Sequence, residues 1–246
     1  MAKQKKGRQA DRDRRAVIEQ MRRDQQRKER RRTYIVIAVC AVVALVIVGA
    51  AAVPLIKQTA ASRGALADLG AAAKSAGCQP IIKKQATGNQ QHRPEGTTIT
   101  YPDSPPAFGP HYPVTAPFAR KFYTKADRPK LEYLVHNLEH GYNILWYDDT
   151  VAKNSGELAT VKAIASKFSG QKLTDKFIAA PYTPTDGKAF PKGAHVAITH
   201  WSAGKDPSDP AKQKGIWQYC ARPSGAVVSQ FVKDWPYTDS PEPQAM

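Results

Sequence analysis

The chain has 246 residues and 27.0 kDa, with 37 Lys and Arg against 21 Asp and Glu, a net charge of +16 and a pI near 9.8. A hydrophobic fraction of 41% with four Trp and ten Tyr supplies a core and excludes a wholly disordered chain, and a mean hydropathy of −0.50 excludes a polytopic membrane protein. The length suits one domain with appendages.

Residues 1–33 carry fourteen Lys and Arg against five acids, a net +9 that leaves +7 for all that follows. So charged and so poor in apolar residues, this stretch is expected to be a disordered arm. Residues 34–56 then run for 23 positions without a charged side chain. At 1.5 Å per residue they reach about 34 Å as a helix, enough for a hydrocarbon core of about 30 Å. Ala50-Ala51-Ala52 would fit a signal-peptide cleavage site. The long basic arm and long apolar run favour an uncleaved anchor instead. The positive-inside rule then keeps the arm cytoplasmic and places the C-terminal part outside the membrane. The arm lacks aromatics between its charges, so it reads as an orientation signal drawn to anionic lipid headgroups rather than a nucleic-acid site.

Residues 57–77 are Ala-rich and read as a juxtamembrane stalk. From Cys78 to about Tyr123 the chain is rich in Pro, Gly and Thr, with a short extended piece expected at 97–101. Pro129 opens a candidate helix in which Leu131, Leu134, Val135 and Leu138 recur at helical spacing and Gly141 stands at the C-terminal cap. A strand reading of the same stretch stays open, because 142–147 (YNILWY) follows at once and is strand-like. Residues 157–168 are helical, with Leu158, Val161, Ile164, Ala165 and Phe168 on one face. Residues 177–180 and 194–201 read as strands, and Ser224 caps a last helix through Trp235. Residues 236–246, with three Pro, are expected to be a flexible tail. The order of elements predicts an α+β domain over 78–235, with α/β as the alternative.

Cys40 lies mid-span as an apolar filler. Cys78 and Cys220 fall in the exported part, where they form either one disulfide closing a loop of about 140 residues or two separate buried thiols. No Cys-x-x-Cys occurs, which gives a thioredoxin-type centre or a Cys-rich zinc site no support.

All six His lie in the exported part. In a helix His136 and His140 are neighbours one turn apart, on the side away from the Leu stripe, and Glu139 between them adds a carboxylate or polarises a bound water. His111 sits in a Pro- and Gly-rich turn, residues 105–112, that fixes its direction, and His92 lies in a second loop before Pro94. His92, His111, His136 and His140 together suit Cu(II) or Zn(II) rather than Ca²⁺ or Mg²⁺. His195 and His200, five apart in a strand, point to opposite faces, so at most one is near this cluster. His-x-x-Glu-His also matches the short signature of the inverted zinc proteases, but Gly141 ends the helix and no later helix offers a third Glu ligand.

At these motifs the sequence resembles the domain-of-unknown-function family 3105. The resemblance rests on His92, Tyr101, Pro105, Pro106, Gly109 and His111, then on His136, Leu138, Glu139, His140, Gly141 and Tyr142, with Pro241-Glu242 near the end. Phe108 stands where the family has Ser. The resemblance implies an actinobacterial protein with one N-terminal anchor and an exported domain whose His residues belong to one design, and it implies no established activity.

The leading expectation is thus a singly anchored extracytoplasmic protein that binds Cu or Zn through the four His. The alternatives are a metal-dependent hydrolase with Glu139 as general base, and a structural module of an envelope assembly whose His form a hydrogen-bonded core.

Overall fold

The computed structural model describes Met21, Arg27, Lys28, residues 30–32, 34–46, 65–204 and 206–246. The chain divides into two units, residues 1–57 and 58–246. In the first unit, Arg27, Lys28 and residues 30–32 are helical, and residues 34–46 form an apolar helix whose side chains are exposed. Among the described residues no helix is long and apolar enough to cross a membrane. The rest of the expected span, 47–56, lies outside them.

The second unit is a mixed α+β domain built on one five-stranded sheet, in the order β1-β5-β4-β2-β3. The strands are β1 (Ile82–Gln85), β2 (Asn143–Tyr147), β3 (Phe177–Pro181), β4 (Val196–Ser202) and β5 (Lys214–Cys220). The helices are α1 (Leu131–Glu139), α2 (Asp149–Lys153), α3 (Ser155–Ser166) and α4 (Gly225–Asp234). Only β2 and β3 pair in parallel, and α2 and α3 provide the crossover between them, as a parallel connection requires. The other strand pairings among the described residues are antiparallel.

Both faces of the sheet are buried. Alternation by two sends Leu145, Tyr147, Phe177 and Ala179 into one cluster with Val161, Ile164, Val228 and Phe231 of α3 and α4. Ile144, Trp146, Ile178 and Ala180 enter the other, with Leu134, Val135 and Leu138 of α1. The helix reading of the Leu stripe holds. Asp148, Asn154 and Ser224 cap α2, α3 and α4 by accepting from backbone N–H groups of the first turn. Cys78 and Cys220 form a disulfide beside the first cluster.

Three expectations need correction. Residues 65–77 are not a stalk: two 3-10 turns, Leu66–Asp68 and Ala73–Ser75, put Leu69, Ala71 and Ala76 into the first cluster. Residues 97–101 form no strand. Residues 236–246 are not a loose tail. They fold back over the end of α1, where Glu242 N–H donates to the Glu139 carbonyl at 3.0 Å. The buried Lys176 ammonium donates to the carbonyls of His140, Pro243 and Ala245 at 2.7, 2.8 and 2.6 Å. A buried cation satisfied by three carbonyls anchors a segment whose composition alone suggests looseness.

Candidate metal centre

The apolar face of α1 turns to the sheet, and its opposite face is covered by the 88–111 loops and the returning C-terminal segment. His136, Glu139 and His140 are therefore buried on what the sequence suggested would be a polar face. Gly141 ends the helix at φ +91°, and a Cβ there would run into the Tyr237 carbonyl and Ser240 Oγ. The cap glycine thus stops the helix and lets the C-terminal segment close over its end.

The loops that carry His92 and His111 are stitched together by a parallel bridge between these two residues. Arg93 N–H donates to the His111 carbonyl at 2.7 Å, and His111 N–H donates to the Gln91 carbonyl at 3.2 Å. Gly88, at φ +89°, lets the first loop lie directly on the Gly109–Pro110 backbone. Phe108 packs edge-on against Trp201 and Trp217, a role no hydroxyl would serve.

These pieces bring His92, His111, His136 and Glu139 together, with one ligand atom from each within 4.8 Å of all the others. The His111 and His136 rings stack at 4.7 Å, and His92 lies 4.9 Å from both. His140 is not in this group. It forms a second set with Glu139 and Glu242. His195 and His200 join neither: His195 Nδ1 faces Asp148 Oδ2 at 2.8 Å, and His200 lies between the Tyr142 and Asp239 carbonyls.

Hydrogen bonding around His111 dictates its tautomer. Nδ1 lies 2.8 Å from the Gly109 carbonyl, which can only accept, so in the neutral ring Nδ1 carries the proton and Nε2 presents a lone pair. That lone pair lies 2.9 Å from Glu139 Oε2, with both side chains wholly buried. Neither atom completes an aligned hydrogen bond among the described residues, and His136 Nδ1 also has no hydrogen-bond partner there. A lone pair facing a carboxylate at this distance calls for a positive centre: a proton between them, or a metal ion once the two atoms move apart to about 3.3 Å.

Glu139 is held ionised. Burial works against its charge, but the facing His111 ring, the Gln90 N–H and His136 outweigh it and lower its pKa. Burial pushes the His136 imidazole down to about 4, with the His140 and His111 rings acting in the same direction, so it stays neutral and able to ligate. Burial also lowers His140, against the Met246 carbonyl and the Glu242 and Glu139 carboxylates.

Two contributors escaped the sequence reading. Gln90, at a left-handed φ of +56°, donates its backbone N–H to Glu139 Oε1 at 2.6 Å and its side-chain amide to Glu242 Oε1 at 3.2 Å. An Asn-Gln pair after Gly88 is a turn signal, but nothing in it names a carboxylate partner. Glu242 follows Pro241 in a segment that the sequence suggested would be a flexible tail.

A family model described as "Protein of unknown function (DUF3105)" matches residues 92–245, from the first candidate ligand to just past Glu242. None of the curated proteins and none of the solved structures matches the chain.

Proposed function

The chain belongs to the DUF3105 family of proteins of unknown function, and since that membership brings no activity with it, we propose from the site itself that this is a membrane-anchored extracytoplasmic protein that binds a transition metal through His92, His111, His136 and Glu139. The observation that carries the metal reading is the buried His111–Glu139 encounter, in which a lone pair and a carboxylate oxygen meet without an aligned hydrogen bond. Three imidazoles and one carboxylate form a donor set for Cu(II) or Zn(II). A tetrahedral ion with bonds of about 2.0–2.2 Å needs its ligand atoms roughly 3.3–3.6 Å apart. The 4.0 Å from His136 Nε2 and the 2.9 Å from His111 Nε2 to Glu139 Oε2 fall on either side of that range, each within a small side-chain rotation of it. His111 has its second ring nitrogen fixed by a backbone carbonyl, as metal-bound imidazoles usually do.

Three features support the anchor: the uncharged run 34–56, the exposed apolar side chains over 34–46, and the +9 arm before them. The Cys78–Cys220 disulfide suits an exported domain. The hydrolase reading draws no support from the geometry. It needs a Glu139 oxygen free to take a proton from water, whereas Oε1 accepts from Gln90 and Oε2 lies 2.9 Å from His111 Nε2.

Titration of the purified full chain with Zn(II) and with Cu(II) tests the metal reading. Micromolar or tighter binding is expected, weakened at least about tenfold by His111→Ala or His136→Ala, a loss typical of removing one ligand. Binding absent from the wild type, or indifferent to both substitutions, defeats it.

A further inference from the structure

We infer that the centre holds two ions side by side, the second bound by Glu139, His140 and Glu242; this rests on the metal reading above and extends it. Glu139 belongs to both ligand sets, so the two ions would share its carboxylate. The arrangement around the second set repeats that around the first. His140 Nδ1 lies 3.1 Å from the Met246 carbonyl, so the proton sits on Nδ1 and Nε2 presents its lone pair. That lone pair faces Glu242 Oε2 at 3.4 Å, as the His111 lone pair faces Glu139 Oε2 at 2.9 Å. Gln90 holds the other oxygen of both carboxylates, its N–H on Glu139 Oε1 and its side-chain amide on Glu242 Oε1. Each unit thus runs carbonyl, imidazole, carboxylate, Gln90. The His136 and His140 rings, 4.4 Å apart, make the sets contiguous.

The carboxylate common to both sets has an oxygen that calls for a cation. Glu139, with 0% side-chain exposure, has no hydrogen-bond partner for Oε2 among the described residues. A wholly buried carboxylate oxygen left in that state is costly unless a cation meets it.

The two positions differ in chemistry. The first offers three imidazoles and a carboxylate; the second offers one imidazole and two carboxylates, and the Glu242 side chain is 30% exposed. More oxygen and open access make the second the weaker and harder position. It suits a divalent first-row ion that keeps water ligands.

The test measures bound zinc per full chain by elemental analysis, after equilibration with Zn(II) and rapid desalting, together with calorimetric titration. Two equivalents are expected, the second at least about tenfold weaker. Glu242→Gln should remove the weaker equivalent and leave the tighter affinity within about threefold. A Cu(II)-loaded sample provides a second measurement independent of that variant's folding: two ions sharing a carboxylate broaden or cancel each other's electron spin resonance, whereas one ion gives a single resolved spectrum. One equivalent in the wild type, with a single resolved copper signal and no effect of Glu242→Gln on it, overturns the two-ion centre and leaves the first site standing. No binding at all overturns the metal reading itself.

Discussion

Protonating His136 would bury a charge beside other imidazoles, and burial first, then His140 and His111, hold its pKa down at about 4 against the pull of Glu139. An unfolded His takes up its proton near 6.5, so between that pH and about 4 the unfolded chain binds a proton the native chain refuses. Stability is therefore complete above about pH 6.5 and falls as the pH drops through this window, by roughly 3 kcal/mol for this ring. The lowered pKa values of His140 and Glu139 act with the same sign. Urea unfolding with chelator present at pH 7.5, 5.5 and 4.5 should show this decline, and His136→Gln should flatten it; acid-insensitive stability in the wild type contradicts the assignment. At this scale much of the candidate site was legible, because imidazoles and a carboxylate at helical spacing are recognisable as ligand types. The choice of Glu139 over His140 for the first set was not, since it depends on which way loops far along the chain approach α1. Gln90 was hidden for a related reason: its part in the site is played largely by a backbone N–H, which every residue but Pro possesses.

Among the elements, the junction of α1 with the C-terminal segment is the most sensitive. Gly141→Ala puts a Cβ on a residue at φ +91° and drives it into the Tyr237 carbonyl. The left-handed conformation alone costs an Ala about 1–2 kcal/mol, and the backbone clash brings the expected loss to roughly 2–4 kcal/mol. The displaced segment carries Glu242, so hydrogen exchange should speed up across 236–246 and the weaker zinc equivalent should fall with it. Unchanged protection there would show that Gly141 does not seat the segment. The elements that could be read in advance were those with a clear period: α1, α3, α4, β2, β3 and β4. β1 was missed because IKKQ is an exposed edge with no alternation of apolar and polar side chains. β5 was missed because Ile216 and Cys220 enter one cluster and Trp217 and Tyr219 the other, so that a strand buried on both faces shows no alternation of apolar and polar side chains. α2 has only five residues, defined mainly by the Asp148 cap.

Across the whole domain the two faces of the sheet divide the work. The disulfide packs with the α3 and α4 side, while the ligand sets lie around α1, the 88–111 loops and the C-terminal segment on the other. Cys78 and Cys220 are 142 residues apart, and closing a loop of that length is worth about 5 kcal/mol in the chain-entropy account. For a domain of this size each kcal/mol moves the melting temperature by about 2–4 °C, so the Cys78→Ser, Cys220→Ser double variant should melt about 10–20 °C lower. Because the cross-link acts mainly on the unfolded chain, and its sulfurs touch none of the candidate ligands, zinc stoichiometry and affinity below the melting transition should match the wild type. Calorimetry with and without Zn(II) separates the two effects: the ion should raise the melting temperature of both proteins by a similar increment, as a ligand of the native state must. Loss of zinc binding in a variant that remains folded at the assay temperature would show that the disulfide side sets the geometry of the ligands, and that the sheet does not insulate the two faces.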